Sequence, residues 1–153
     1  MKTGGIRSAR AGEHTAVQDC VNAAYFKYVE RIGKKPAPML ADYSSLIAGG
    51  SVYVIPGQFG IRGVLVAMRE GGSVLVENVA VDPIYQGRGL GQRLMGFAER
   101  LAAEDGLREI RLYTNEVMAE NIAYYRGLGF EEVERRVDQG YRRVFMRKTL
   151  PQP

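Results

Sequence analysis

Apolar positions recur along this chain with two periods, and the places where one gives way to the other mark its elements. From Glu13 to Ile32, Val17, Cys20, Val21, Ala24, Tyr25, Tyr28 and Ile32 fall on one face at helical spacing. The breaker run Gly33-Lys34-Lys35-Pro36-Ala37-Pro38 ends that helix, and Leu40 to Ala48 reads as a second, shorter one stopped by Gly49-Gly50. Ile6 to Ala9 reads as a short first strand. Three strands then follow one another, Ser51 to Ile55, Gly60 to Arg69 and Ser73 to Val81, separated by Pro56-Gly57 and Gly71-Gly72, which predicts a meander. The period changes again at Leu90, where Leu90, Leu94, Phe97, Ala98 and Leu101 form the core-facing stripe of a helix. Arg108 to Thr114 alternates charged and apolar residues as a strand does. Met118 to Gly127 is helical, and Phe130 to Arg136 and Tyr141 to Lys148 are two last strands around Gly140.

Strands and helices are thus mixed, with a run of hairpins and one strand-helix-strand crossover. That order predicts an α+β fold, a mixed α/β sandwich, and not a doubly wound sheet. The 153 residues suffice for one domain with a real core, so residues 1–153 are read as a single domain. A hydrophobic content of 46% with 25% charged residues is that of an ordinary globular protein, and no apolar run approaches the ~20 residues of a membrane span. The opening Met-Lys-Thr-Gly-Gly-Ile-Arg-Ser lacks the apolar centre of an export signal, which predicts a cytoplasmic protein. One cysteine and one histidine make no internal disulfide and a poor metal site, so no metal is expected. The net charge of +4 is mildly basic, short of the excess of a dedicated nucleic-acid binder. The C-terminal arginines Arg135, Arg136, Arg142, Arg143 and Arg147 read as alternating charge on an exposed hairpin, which is also a candidate seam for a homodimer.

Candidate chemistry concentrates where Val79-Ala80-Val81-Asp82-Pro83 gives way to Gln86-Gly87-Arg88-Gly89-Leu90-Gly91 and a helix begins at once. The first turn of a helix leaves its N–H groups unpaired and carries partial positive charge, so phosphate settles there. Glycines remove the Cβ atoms that would hold a ligand off the backbone. Two nucleotide motifs are excluded by spacing. The dinucleotide fingerprint needs Gly-x-Gly-x-x-Gly, whereas Gly87, Gly89 and Gly91 are each two apart, and a P-loop needs Gly-Lys-Ser/Thr where Gly91 is followed by Gln92-Arg93.

The hexapeptide Gln86 to Gly91 resembles the Gln/Arg-x-x-Gly-x-Gly/Ala signature of the GNAT acetyltransferase superfamily. Val79 to Pro83 resembles that family's fourth strand and its exit, and Tyr125-Arg126-Gly127-Leu128-Gly129-Phe130 resembles its later Tyr-x-x-x-Gly-Phe segment. The resemblance implies a central, mostly antiparallel sheet of about seven strands flanked by about four helices. It implies acetyl-CoA as acetyl donor, with its pyrophosphate on the loop, which assigns Gln86, Gly87, Arg88, Gly89, Leu90 and Gly91 to that ligand. Val79, Ala80 and Val81 are the matching strand positions beside the pantetheine arm. Arg93 either adds charge to the phosphates or is a solvated helix residue. Asn121 shares a helix face with Tyr125. Where many members place a cofactor-contacting Asn, seven residues before the tyrosine, this chain has Met118, so Asn121 or Asn115 stands in.

Tyr125 matches the tyrosine that the family places near the thioester sulfur as general acid. A phenol with pKa of about 10 stays protonated at neutral pH and can donate to a departing thiolate. Tyr124, roughly 100° further round the helix, is expected in the core or the acceptor pocket. An amine with pKa of about 10 needs a base, since freeing it at neutral pH costs about 4 kcal/mol. The candidate is Glu77, which period-2 alternation places with Leu75, Val79 and Val81 on an apolar face that would raise its pKa, with Asn78 facing the other way. Glu77 acts directly, through water, or is an edge or ion-paired carboxylate. The acceptor site in this family is built from the first two helices and their loop, here Tyr25 to Tyr43. Nothing there names the acceptor, a small-molecule amine or a peptide N-terminus. The competing reading is a CoA-binding regulatory domain without turnover.

Overall fold

Where the chain can open a site follows from how seven strands share one sheet. The computed structural model describes residues 5–151, so part of the opening octapeptide that bears on export lies outside the described residues. In chain order the elements are β1 (Arg7–Ser8), α1 (His14–Tyr25), α2 (Val29–Ile32), α3 (Tyr43–Ala48), β2 (Val52–Pro56), β3 (Ile61–Glu70), β4 (Ser73–Val81), α4 (Leu90–Glu104), β5 (Glu109–Asn115), α5 (Ala119–Gly127), β6 (Glu131–Asp138) and β7 (Tyr141–Thr149). The strands form one seven-stranded sheet in the order β1-β2-β3-β4-β5-β7-β6. Neighbours are antiparallel except β4 and β5, whose parallel pairing requires the α4 crossover between them.

Two apolar layers hold the sheet. On one face Val17, Cys20 and Val21 of α1 pack with Val52, Val54, Val64 and Val66. On the other, Leu94 and Ala98 of α4 and Ile122 of α5 pack with Val74, Val76, Ile110 and Met146. Burial of each such aliphatic side chain contributes about 1.5–3 kcal/mol, so the two layers together fix which strand faces which helix. No helix among the described residues is long and apolar enough to cross a membrane.

The predicted elements occur, with instructive changes at the first helices. The stretch read as one helix from Glu13 to Ile32 is interrupted by a 3-10 turn at Phe26–Tyr28. The one read from Leu40 to Ala48 is a 3-10 turn over Ala37–Leu40 followed by α3. Pro36 and Pro38 disfavour a regular helix start, and Asp42 restarts the chain as an N-cap by accepting from the Ser45 N–H at 3.1 Å. The terminal hairpin turns on Gln139-Gly140, both with positive φ (53° and 83°), the backbone that a two-residue primed turn demands. Along that hairpin Arg135 pairs with Glu132, Arg136 with Glu134 and Arg147 with Glu131.

One irregularity positions everything that follows. In the β3–β4 ladder Val66 faces Asn78 and Ala67 faces Val76, so Glu77 is an extra residue in a β-bulge. Before the bulge Val74 and Val76 point into the α4 layer. After it Val79 and Val81 do so, and Ala80 belongs to the α1 layer. Pairing between β4 and β5 is confined to residues 74–76 with 110–112. Beyond the bulge the two parallel strands therefore splay.

Candidate active site

The splay leaves a groove of about 580 Å3, walled by Val79, Ala80 and Val81 of β4, the glycine loop, the start of α4, and Asn121, Tyr124 and Tyr125 of α5. Its floor is built locally. Asp82 accepts from the Ile84 N–H at 3.0 Å and turns the chain out of β4, and Gln86 Nε2 donates to the Val81 carbonyl at 3.1 Å. Gly87 and Gly89 take φ of 80° and 78°, and a Cβ on either would meet nothing within 4 Å. The space beside these backbone atoms is thus open to a ligand. Gly89 is also the N-cap of α4 and has no side chain to offer the leading N–H groups, so the helix start remains an anion site.

Most residues assigned to the donor from sequence border this groove: Val79, Ala80, Val81, Gln86, Gly87, Gly89, Leu90, Gly91, Asn121 and Tyr125. Arg88 stands outside that lining, exposed, its guanidinium 5.6 Å from the centre of the Tyr85 ring. Arg93 is exposed on α4. Of the two asparagines weighed as stand-ins, Asn121 borders the groove, whereas Asn115 accepts from the Val117 N–H at 3.0 Å. Met118 is buried, and Asn121 Nδ2 lies 3.5 Å from its sulfur. Tyr124 lies outside the buried core and borders the groove. It is 40% exposed, and its hydroxyl would lie 3.5 Å from a Cβ at Gly91, because α5 crosses over the start of α4.

Tyr125 packs edge-on against Phe130 at 5.8 Å and against Tyr124 at 5.5 Å. Burial pushes its phenol further above the ordinary value, with Tyr124 and Tyr28 adding to the effect, so at neutral pH it holds its proton.

Glu77 does not line this groove. It walls a second cavity of about 340 Å3 with Tyr43, Asn78, Tyr113, Tyr141 and Arg143. A narrow space of about 40 Å3 shares Tyr25 with the groove and Glu77, Tyr113, Tyr141 and Arg143 with the second cavity. Alternation put Glu77 with Val79 and Val81 and turned Asn78 away. The bulge corrects this: Glu77 and Asn78 border the same cavity, and Val79 and Val81 face the α4 layer. Burial raises the Glu77 carboxyl pKa, Glu70 adds to the rise, and Arg143 opposes it. A carboxylate so placed has a stronger appetite for a proton than an exposed one.

Between groove and second cavity runs a hydrogen-bonded chain absent from the sequence reading. Tyr25 donates to Asn78 Oδ1 at 2.8 Å, Asn78 Nδ2 donates to the Tyr43 hydroxyl at 3.0 Å, and Tyr43 donates to the Pro38 carbonyl at 2.5 Å. It gives both ends of a buried amide a partner and fixes the wall on which Glu77 sits. Arg143 was read as a residue of an exposed hairpin; it is 5% exposed, donates to Asp138 at 2.7 Å, and sits 4.2 Å over the Tyr113 ring. The only signal for it was adjacency: in Arg142-Arg143 on a strand, one side chain must face inward.

A mixed sheet that splays at its single parallel pair, beside a glycine-turned helix start, is the architecture of the acyl-CoA N-acyltransferase fold. The family model described as Acetyltransferase (GNAT) family matches residues 11–130, and the chain belongs to that family. Solved structures share the fold. The PaiA N-acetyltransferase from Thermoplasma acidophilum, determined in complex with coenzyme A, is 14% identical with a TM-score of 0.77, over 94% of this chain and 97% of that one. The ribosomal-protein-S18-alanine N-acetyltransferase from Escherichia coli is 19% identical with a TM-score of 0.74, over 97% and 94%. A streptothricin acetyltransferase candidate from Bacillus anthracis, in complex with acetyl coenzyme A, is 20% identical with a TM-score of 0.59, over 65% and 62%. No curated protein sequence matches the chain.

Proposed function

We propose that this chain, acting as a single domain, is an acetyl-CoA-dependent N-acetyltransferase that transfers the acetyl group to an amine by direct attack in a ternary complex. The observation that carries this reading is that a narrow space beside Tyr25 joins two unlike cavities: a groove over an uncapped helix start, and a pocket holding a carboxylate. Family membership and the coenzyme A and acetyl coenzyme A named for two of the similar structures support the donor.

The residues fit that donor. The pyrophosphate belongs at Gly87 to Gly91, where open space meets unpaired N–H groups, and the pantetheine arm beside the free edge of β4 at Val79 to Val81. Acetyl-CoA brings an activated thioester, which leaves positioning and proton traffic to the protein. Glu77 takes the proton of the acceptor amine, directly or through one water, as the N–C bond forms and the C–S bond breaks. Tyr125 gives its proton to the leaving sulfur. Binding of acetyl-CoA by calorimetry and thiol release across an amine panel test this together. Release raised by at least one amine supports it; tight binding with no amine raising release leaves a silent CoA-binding domain instead.

A further inference from the structure

The second cavity contains two opposite charges that are not paired with each other. Glu77 and Arg143 both wall it, and each lies within electrostatic reach of the other, yet no ion pair joins them among the described residues. Arg143 is 5% exposed and gives one N–H to Asp138 at 2.7 Å. Asp138 is shared, for Arg136 also lies 3.7 Å from it. The Arg143 guanidinium is stacked over Tyr113, and stacking occupies its face while its N–H donors lie in its plane. A buried guanidinium that gives one N–H to a half-buried carboxylate keeps further in-plane donors that a second carboxylate in the cavity can take.

The rest of the cavity agrees. Tyr113, Tyr141, Leu40 and Leu46 give it an apolar wall, and the volume of about 340 Å3 is that of a small-molecule site. Gln139, among the described residues the only one other than glycine with positive φ, borders it too, so the hairpin keeps a strained residue at this spot. Lys34 donates to the Gly140 carbonyl at 2.8 Å and Tyr141 to the Lys35 carbonyl at 2.7 Å, which ties the loop after the first helices to the hairpin tip. Those two bonds join the walls of the cavity.

We propose that the acceptor is a small amino-acid-type molecule, whose amine lies at Glu77 and whose carboxylate lies at Arg143, with an apolar side chain against the tyrosines. This rests on the acetyl-transfer reading above and narrows it. A polyamine would bring a second positive charge to Arg143. A peptide N-terminus would offer it a neutral carbonyl, a weaker acceptor for its in-plane donors than a carboxylate.

The test compares matched triplets with saturating acetyl-CoA: a free amino acid, its amide and the decarboxylated amine, for phenylalanine, leucine and methionine. In at least one triplet kcat/KM for the acid exceeds the other two by about tenfold or more, the discrimination expected of a site built around a charged hydrogen bond. Arg143→Gln removes that preference, bringing the acid and the amide level, while the acetyl-CoA dissociation constant stays that of the wild type. If Arg143→Gln does not fold, the pair Arg143→Gln with Asp138→Asn removes the buried charge together with its partner and carries the same expectation. A wild-type enzyme that uses the amide or the decarboxylated amine as well as the acid overturns the proposal and leaves acetyl transfer intact, as does a preference that survives in the variants. Failure of every amine to raise thiol release overturns the acetyl-transfer reading and this one with it.

Discussion

The two halves of the site are recognisable to different degrees because they are built from different parts of the polypeptide. The groove proposed for the donor takes its floor from one contiguous run, Val79 to Gly91, with side walls from Ala24 to Tyr28 and from Glu120 to Tyr125 of α5. The pocket proposed for the acceptor is made of side chains brought from Pro38 to Leu46, Glu77 and Asn78, Tyr113, and Gln139 to Arg143. Recognition by backbone needs residues that stay out of the way in a fixed local order, so it writes a motif. Recognition by side chains needs only that tertiary structure collect them, so it does not. The halves should therefore fail differently: damage to the groove should be felt equally by every acceptor, and damage to the pocket should depend on which acceptor is offered.

The largest effect is expected at Gly89. Its φ of 78° sits in the left-handed region, which costs a residue with a Cβ about 1–2 kcal/mol and a β-branched one more. The added atoms would also enter the open space beside the helix start. Gly89→Val should weaken acetyl-CoA binding by about a hundredfold, the equivalent of roughly 3 kcal/mol. Calorimetry measures this without any acceptor. A loss that varied from acceptor to acceptor would break the division drawn above.

Glu77→Gln comes next, with kcat lowered by up to about a hundredfold and acetyl-CoA affinity kept. The wild-type rate should fall as pH drops through the Glu77 pKa, which burial raises above the usual carboxylate value, and the variant should lose that limb. Stability should move the other way. A carboxyl whose folded pKa is raised favours the folded state below its unfolded pKa and loses that contribution as pH rises through the folded value. At neutral pH the wild type thus holds a disfavoured charge. Glu77→Gln should raise Tm by about 1–2 °C there and not at pH 4. A variant that is both slower and less stable at neutral pH would mean that the carboxylate is structural.

Tyr125→Phe keeps the ring that packs on Phe130 and removes only the hydroxyl. We expect kcat to fall by about ten- to a hundredfold for all acceptors alike, with the acetyl-CoA dissociation constant unchanged. A donor with a more acidic thiol should recover most of that loss, because its sulfur needs no proton to leave. Recovery absent in that measurement would assign Tyr125 to packing.

How much could be read beforehand follows the same line. Periodicity placed α4 and the meander because Leu94, Ala98 and the valines of β2 and β3 bury large areas at regular spacing. It misplaced Asn78 because a bulge shifts the register by one residue, and one residue is half the period of a strand. Nothing in Val-Glu-Asn-Val marks that bulge; the mismatch appears only when β4 is laid against β3. Arg143 was missed for a related reason: a strand of mixed charge at the end of a chain has no visible inside until β5 brings the Tyr113 ring under the guanidinium. The caps at Asp42 and Asp82, which hold the Ser45 and Ile84 N–H groups, went unread, because periodicity marks where an element runs and not which side chain closes its end.

The smallest effect is expected where the two halves touch at the surface. Arg31 at the end of α2 reaches across to α5, with Nη1 2.6 Å from Glu120 Oε1 and 3.4 Å from the Val117 carbonyl. The pair spans the acceptor-side helices and the helix that carries Tyr125, so it looks like a clamp. Its side chains are 45% and 48% exposed, however, and exposed ion pairs contribute about 0–1 kcal/mol after ordering and screening. Arg31→Gln should lower Tm by no more than about 3 °C and change kcat/KM by less than about threefold, with no preference among acceptors. A larger, acceptor-dependent loss would show that the halves communicate through α5, and that groove and pocket are one recognition unit instead of two.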